Sequence, residues 1–131
     1  MNWKHFSVLL CVVTLSSCKK EPGEGGRAEI RGIVYEQLYN SSTNLPIGDA
    51  YPIAEQRVYI IYGDGEYFDD DTRTGPNGEF RFPWLRKGDY RVYVISECDD
   101  CPGGTEGIYL DATVNGRKDV VNLGTITVRN Y

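Results

Sequence analysis

Histidine is almost missing from this chain of 131 residues: His5 is the only one. Methionine occurs once, as the initiator. No apolar run is long enough to cross a bilayer as a helix, which takes about 20 residues. Basic residues are in deficit, with 14 Lys and Arg against 19 Asp and Glu, a net charge of −5 and a pI near 4.8. That balance argues against nucleic acid as a partner, because phosphate backbones are met by basic patches. Beyond the amino-terminal stretch, no window of eleven or more residues repeats its apolar positions at the 3.6-residue helical spacing. What the chain does have is ten tyrosines, fifteen glycines and six prolines. That is the composition of a β-rich chain punctuated by turns. The length supports one domain.

The first seventeen residues begin polar, Asn2-Trp3-Lys4-His5, and continue from Phe6 to Leu15 as an apolar core broken only by Ser7 and Thr14. A core of roughly ten residues has the size of a secretory signal's apolar region. It ends in Leu15-Ser16-Ser17-Cys18, a leucine and two small residues before a cysteine, which resembles the lipobox of bacterial lipoproteins. The resemblance implies cleavage before Cys18, acylation of its thiol and acylation of the new amino terminus. Two or more acyl chains would anchor the protein firmly, since each buried CH₂ contributes about 0.8 kcal/mol. The following Lys19-Lys20-Glu21-Pro22-Gly23-Glu24-Gly25-Gly26 has no apolar residue able to join a core and reads as a flexible tether. It is similar in part to the surface-export signal of lipoproteins in the Bacteroidetes, which favours acidic residues where this chain begins with two lysines. The expected organisation is therefore a signal peptide at 1–17, a tether at 18–27 and a domain at 28–131. The expected location is the bacterial cell envelope, at the outer membrane, periplasmic or surface-exposed.

Loss of the signal removes His5 and Lys4, leaving no histidine and 13 Lys and Arg against 19 Asp and Glu, a net charge of −6. Catalysis by Ser-His-Asp or Cys-His, and zinc or iron sites built on histidine, are thereby excluded. With Cys11 gone and Cys18 acylated, Cys98 and Cys101 are the remaining thiols.

The mature region alternates in short runs bounded by Gly, Pro, Asn or Asp. Ala28–Leu38 places Ile30 and Val34 on one face. Glu55–Tyr62 sends Val58, Ile60 and Tyr62 one way and Tyr59 and Ile61 the other. Phe80 and Phe82 share a face in Glu79–Phe82, as do Tyr90, Val92 and Val94 in Asp89–Ile95. Gly107–Val114 groups Ile108, Leu110, Ala112 and Val114, and Asn122–Val128 buries Ile126 and Val128 while Thr125 and Thr127 face out. With a weaker strand at Glu66–Thr74 this makes about seven strands, the pattern of a small antiparallel sandwich burying alternate residues between two sheets.

Four motifs stand in order: Arg31-Gly32-Ile33-Val34, Arg57-Val58-Tyr59-Ile60, Thr74-Gly75-Pro76-Asn77-Gly78-Glu79-Phe80-Arg81-Phe82, and Leu85-Arg86-Lys87-Gly88-Asp89-Tyr90-Arg91-Val92. Together with Leu123-Gly124-Thr125-Ile126 they resemble the carboxypeptidase regulatory-like domains, which share the transthyretin-type sandwich. The resemblance spans about residues 28–128 and implies a single Greek-key β-sandwich, transthyretin-like or immunoglobulin-like. Asn77-Gly78 is expected to supply the positive φ values of a tight hairpin. Gly75-Pro76 departs from the Thr-Asp common in that family. Tyr39–Pro52 is a longer insertion, expected as a loop at one rim.

Candidate sites are few. Cys98-Asp99-Asp100-Cys101 could be a redox pair, half a zinc site or a local disulfide. Zinc wants four ligands and no other Cys or His remains to complete them. Pro102-Gly103-Gly104 disfavours the helix that lowers a redox thiol's pKa, and an oxidising envelope favours the disulfide. Asp64, Glu66, Asp69, Asp70 and Asp71 form an acidic loop that is a weak candidate for calcium, since the spacing fits no EF-hand and a solvated turn is the favoured reading. Trp84, Tyr59, Tyr93 and Tyr109 are candidates for binding through aromatic rings, with cross-strand packing as the plain alternative. Hydroxyisourate hydrolysis, known on a transthyretin-like fold, relies on histidines and a Tyr-Arg-Gly-Ser tail, whereas this chain ends Arg129-Asn130-Tyr131. A carboxylate-pair glycosidase would need a substrate cleft beside the core, and about 114 mature residues leave little material for one. The expectation is a lipid-anchored, non-catalytic binding or structural module without cofactor. Its partner would be another envelope protein, or alternatively a glycan.

Overall fold

The computed structural model describes residues 21–131, so the signal segment 1–17 and the lipidation candidate Cys18 lie outside the described residues. The alternating runs become eight strands: β1 (Glu24–Tyr39), β2 (Pro46–Pro52), β3 (Arg57–Tyr62), β4 (Asp70–Arg73), β5 (Glu79–Leu85), β6 (Gly88–Glu97), β7 (Thr105–Val114) and β8 (Val120–Asn130). The helical feature among the described residues is one 3-10 turn at Pro102–Gly104.

The strands form two four-stranded sheets. The first is organised around β1, which spans 16 residues. On one side its early residues pair with β5 and its late residues with β2, both antiparallel. On the other side β8 runs beside it in parallel, from Glu29↔Val120 to Leu38↔Asn130. The second sheet has the order β4-β3-β6-β7 and is antiparallel throughout, without a register shift.

Because successive side chains on a strand point to opposite faces, the two sheets enclose the alternating set. Ile30, Val34, Val58, Ile60, Phe80, Phe82, Tyr90, Val92, Val94, Ala112, Val114, Ile126 and Val128 are buried together, with Ile108 and Leu110 partly buried at the margin. Ile61 belongs to the opposite face of β3 and is nevertheless 4% exposed. Gly65 in the next loop lies on it: a Cβ there would stand 3.2 Å from Ile61 Cγ2. Two buried hydroxyls tie the edges down. Thr74 Oγ1 donates to the Ile53 carbonyl at 2.6 Å and accepts the Gln56 N–H at 2.9 Å. Ser96 Oγ accepts the Arg129 N–H at 2.8 Å and so links β6 to β8.

The all-β sandwich expected from the sequence is present, with four differences. The β1–β8 pair is parallel, so the sandwich is not antiparallel throughout. Tyr39–Pro52, expected as a rim loop, contains β2, an exposed edge strand with a proline at each end. Its register is set by β1 (Tyr39↔Pro46, Tyr35↔Pro52) rather than by any apolar alternation of its own. Part of the expected tether, from Glu24 to Arg27, belongs to β1. Glycine, not apolar content, puts it there, since Gly26 lies so close to the Leu85 carbonyl that any Cβ would clash. The last difference is at Asn77-Gly78, where only Gly78 has positive φ, at 78°. The Gly78 N–H donates to the Gly75 carbonyl, closing a turn that carries the chain from the second sheet to the first instead of a hairpin within one sheet.

The root of the amino-terminal segment is fastened by one phenol. The Tyr90 hydroxyl accepts the Gly23 N–H at 2.9 Å and donates to the Arg86 carbonyl at 2.6 Å. Pro22 sits against Gly88, where a side chain would collide with its ring.

Candidate functional site

The outward face of the second sheet carries a row of aromatic rings. Register places Asp71, Tyr59, Tyr93 and Tyr109 side by side on β4, β3, β6 and β7. The rings of Tyr59 and Tyr93 lie 4.8 Å apart with planes 12° from parallel, and those of Tyr93 and Tyr109 are 4.8 Å apart at 29°. Phe68, from the loop before β4, closes the row against Tyr59 at 4.9 Å. The two tyrosine contacts are offset stacks, while the Phe68 ring is tilted 59° to that of Tyr59. The inner rings therefore spend their faces on one another and present edges and hydroxyls outward. Tyr109, at the end of the row, is 54% exposed. Its ring leans over Gly107, where a Cβ would come within 2.6 Å of it.

Cations flank the row on both sides. The Arg57 guanidinium lies 5.7 Å from the Tyr59 ring centre and pairs with Asp71 at 2.5 Å. The Arg91 guanidinium lies 5.9 Å from the Tyr109 ring centre and pairs with Asp111 at 3.0 Å. Such placements are attractive through the ring quadrupole. Burial pushes the Tyr93 phenol above its ordinary pKa, and its neighbours Tyr109 and Tyr59 push it the same way. At the end of β3, Tyr62 is raised to about 12, first by burial and then by the charges of Asp70, Glu24 and Asp69 and by Tyr90. The Tyr93 and Tyr62 hydroxyls therefore stay protonated near neutral pH and can donate and accept. Phe68 and Ile95, both partly exposed, add apolar surface beside the row. The result is an amphipathic strip of polar edges over apolar bodies.

Three of the four aromatic candidates read from the sequence are thus brought together: Tyr59, Tyr93 and Tyr109. Trp84 is not among them. It lies on β5 of the first sheet, 64% exposed, with φ at 60°. Arg57 and Arg91 were missed, yet they stand two residues from Tyr59 and Tyr93, so strand alternation alone puts them on the same face. Phe68 lies outside any alternating run, and only the returning loop reveals it.

The Cys98–Cys101 disulfide is formed, with Cα atoms 5.4 Å apart. The Cys98 N–H donates to the Gly104 carbonyl and closes the same loop. In the acidic loop, Asp69 accepts the Tyr62 N–H at 2.7 Å, Asp70 accepts the Asp71 N–H at 2.8 Å, and Asp71 holds Arg57. Those carboxylates are engaged locally instead of converging with Asp64 and Glu66. Among the described residues, the group close enough to share a metal ion is Cys98, Cys101 and Glu106, and two of its three members are spent in the disulfide.

No protein-family model matches this chain, and no curated protein matches it. Among solved structures it is similar to a Pseudomonas aeruginosa protein described as a "putative carbohydrate binding protein". The two are 14% identical, with a TM-score of 0.47 over 82% of this chain and 91% of that one. A likeness of that degree says nothing about what this chain binds.

Proposed function

We propose that the protein is a non-catalytic binding module of the bacterial envelope, anchored through acylated Cys18, whose second sheet docks another envelope protein. The observation that carries this reading is the row Phe68–Tyr59–Tyr93–Tyr109. Protein interfaces are enriched in tyrosine and arginine, because a ring held in place brings contact area at little entropic loss and its hydroxyl still finds a partner. The Arg57–Asp71 and Arg91–Asp111 pairs would form the polar rim of such a patch.

The test is site-specific photo-crosslinking in intact cells. A crosslinker at position 109 is expected to trap one discrete protein, and Tyr93→Ala is expected to abolish that product. A crosslinker at Thr125, on the opposite sheet, should not trap it. Equal products from both positions would overturn the reading. The anchor has its own measurement: a fatty-acid analogue should label the wild type and not Cys18→Ala.

A second reading, glycan binding, has one specific observation in its favour, the exposed Tyr109 ring at the end of the row. It predicts glycan-array binding that Tyr109→Ala removes and Trp84→Ala leaves intact, since Trp84 lies on the other sheet.

A further inference from the structure

At the end of the sandwich where the amino-terminal segment leaves, four basic side chains gather although the chain is acidic. Arg27, Arg86, Lys87 and Arg117 line a cavity of about 430 Å³ with the backbone of Gly25 and Gly26, and no carboxylate lines it. The Arg86 guanidinium lies across Gly25, where a Cβ would come within 2.8 Å of it. Among the described residues, each of the four ion pairs uses some other arginine, namely Arg31, Arg57, Arg81 or Arg91. Among the described residues none of these four cations has an ion-pair partner, so the cavity can take an anion.

Two further observations indicate which anion. Trp84, immediately before the cavity residue Leu85, is exposed in the left-handed region, a conformation costly for a bulky side chain. An exposed indole beside lysine and arginine is the side-chain set of a membrane interface, where aromatic belts sit at headgroup depth. In addition, four residues separate Cys18 from Gly23. Fully extended, the stretch from Cys18 to Gly23 spans about 18 Å, and the Tyr90 hydroxyl fixes its far end at this rim.

We propose that this rim binds the phosphate groups of anionic lipids, with Arg27, Arg86, Lys87 and Arg117 around the phosphate and Trp84 at the interface. The inference rests on the anchored reading only for orientation, and it concerns a surface separate from the tyrosine row. Its test removes the anchor. The mature chain, residues 18–131, carrying Cys18→Ala is sedimented with vesicles of phosphatidylcholine alone and of phosphatidylcholine mixed with phosphatidylglycerol. The expected result is a preference for the anionic vesicles that falls about fivefold for each cation removed in Arg86→Gln/Lys87→Gln. Arg31→Gln/Arg73→Gln, which removes the same charge elsewhere, should leave the preference unchanged. Trp84→Gly, which a left-handed backbone accepts without strain, should weaken binding to the anionic vesicles. No preference for anionic vesicles, an equal fall in both charge variants, or binding of inorganic phosphate without vesicle preference would each overturn the proposal. Because no acyl chain is present, failure here leaves the labelling test of Cys18 and the crosslinking test of the tyrosine row untouched.

Discussion

The two sheets are built from the same kinds of residue by different rules. In the second sheet every neighbour is antiparallel and no register shifts, as in the unbroken run from Gly88↔Val114 to Glu97↔Thr105. In the first sheet a single 16-residue strand serves three partners, and its register shifts against each of them. Regular pairing lets side chains on the outward face line up, and a row of stacked rings needs that alignment. The shifted sheet bears no such row. It takes up the chain's irregular segments instead: the polar edge strand, the glycine-rich entry and the turn between sheets. One sheet presents a surface and the other sets the shape.

The largest expected effect tests whether alternation holds in the shifted sheet. Phe80 is 3% exposed and packs against Phe82 at 6.1 Å, while its neighbour Arg81 points outward to Glu29. Phe80→Ala should lose about 3–5 kcal/mol through transfer and cavity terms, and Arg81→Ala less than about 1 kcal/mol, as for exposed ion pairs. Denaturant melts measure both, and comparable losses would show that this sheet does not sort its faces. A smaller loss, about 1–3 kcal/mol by overpacking, is expected for Gly26→Ala, which drives a methyl group into the Leu85 carbonyl. If the same variant melted like the wild type, Gly23–Arg27 would be a tether after all.

The next effect belongs to the regular sheet and is read with pH. Folded Tyr62 ionises at about 12, against about 10 for an ordinary phenol. Its contribution to stability is therefore complete below pH 10 and is lost as pH rises from 10 towards 12. Tyr90 and Tyr93 are raised as well and act in the same direction. Melts across that window should show a steepening loss that Tyr62→Phe partly removes; a flat profile would contradict the burial of this phenol. The smallest expected effect is calcium: a melt with calcium against chelator should shift by nearly nothing, since the acidic loop's carboxylates already hold Tyr62 and Arg57. A rise of several degrees that Asp69→Asn/Asp71→Asn abolishes would make the regular sheet's edge a cation site.

What could be read in the residues follows the same division. In the regular sheet β3, β6 and β7 were legible within a few residues, and so was the outward side of Tyr59, Tyr93 and Tyr109, because a period of two is written directly in the sequence. Their stacking was not, because it depends on which strands become neighbours. In the other sheet Ile30, Val34, Phe80 and Phe82 declared themselves by alternation. Pro46–Pro52 did not, because an exposed edge strand buries too little to need a pattern. Gly23–Arg27 did not either, since a backbone fitted closely against another backbone leaves no apolar signature. The basic rim was invisible for a related reason: Arg27, Arg86, Lys87 and Arg117 come from three separate stretches that only the fold brings to one cavity.

The parallel pairing of β1 with β8 carries a mechanical consequence. Because the two strands run in the same direction side by side, the amino end of one and the carboxyl end of the other lie at opposite ends of a shared hydrogen-bonded seam, from Glu29↔Val120 to Leu38↔Asn130. Tension drawn between those two ends slides the strands along each other and loads the whole seam at once, in shear. An antiparallel pair pulled from adjacent ends would instead open one bond after another, like a zip. A module held at its amino-terminal side and tugged from its last strand would therefore resist force with its longest strand rather than its weakest edge.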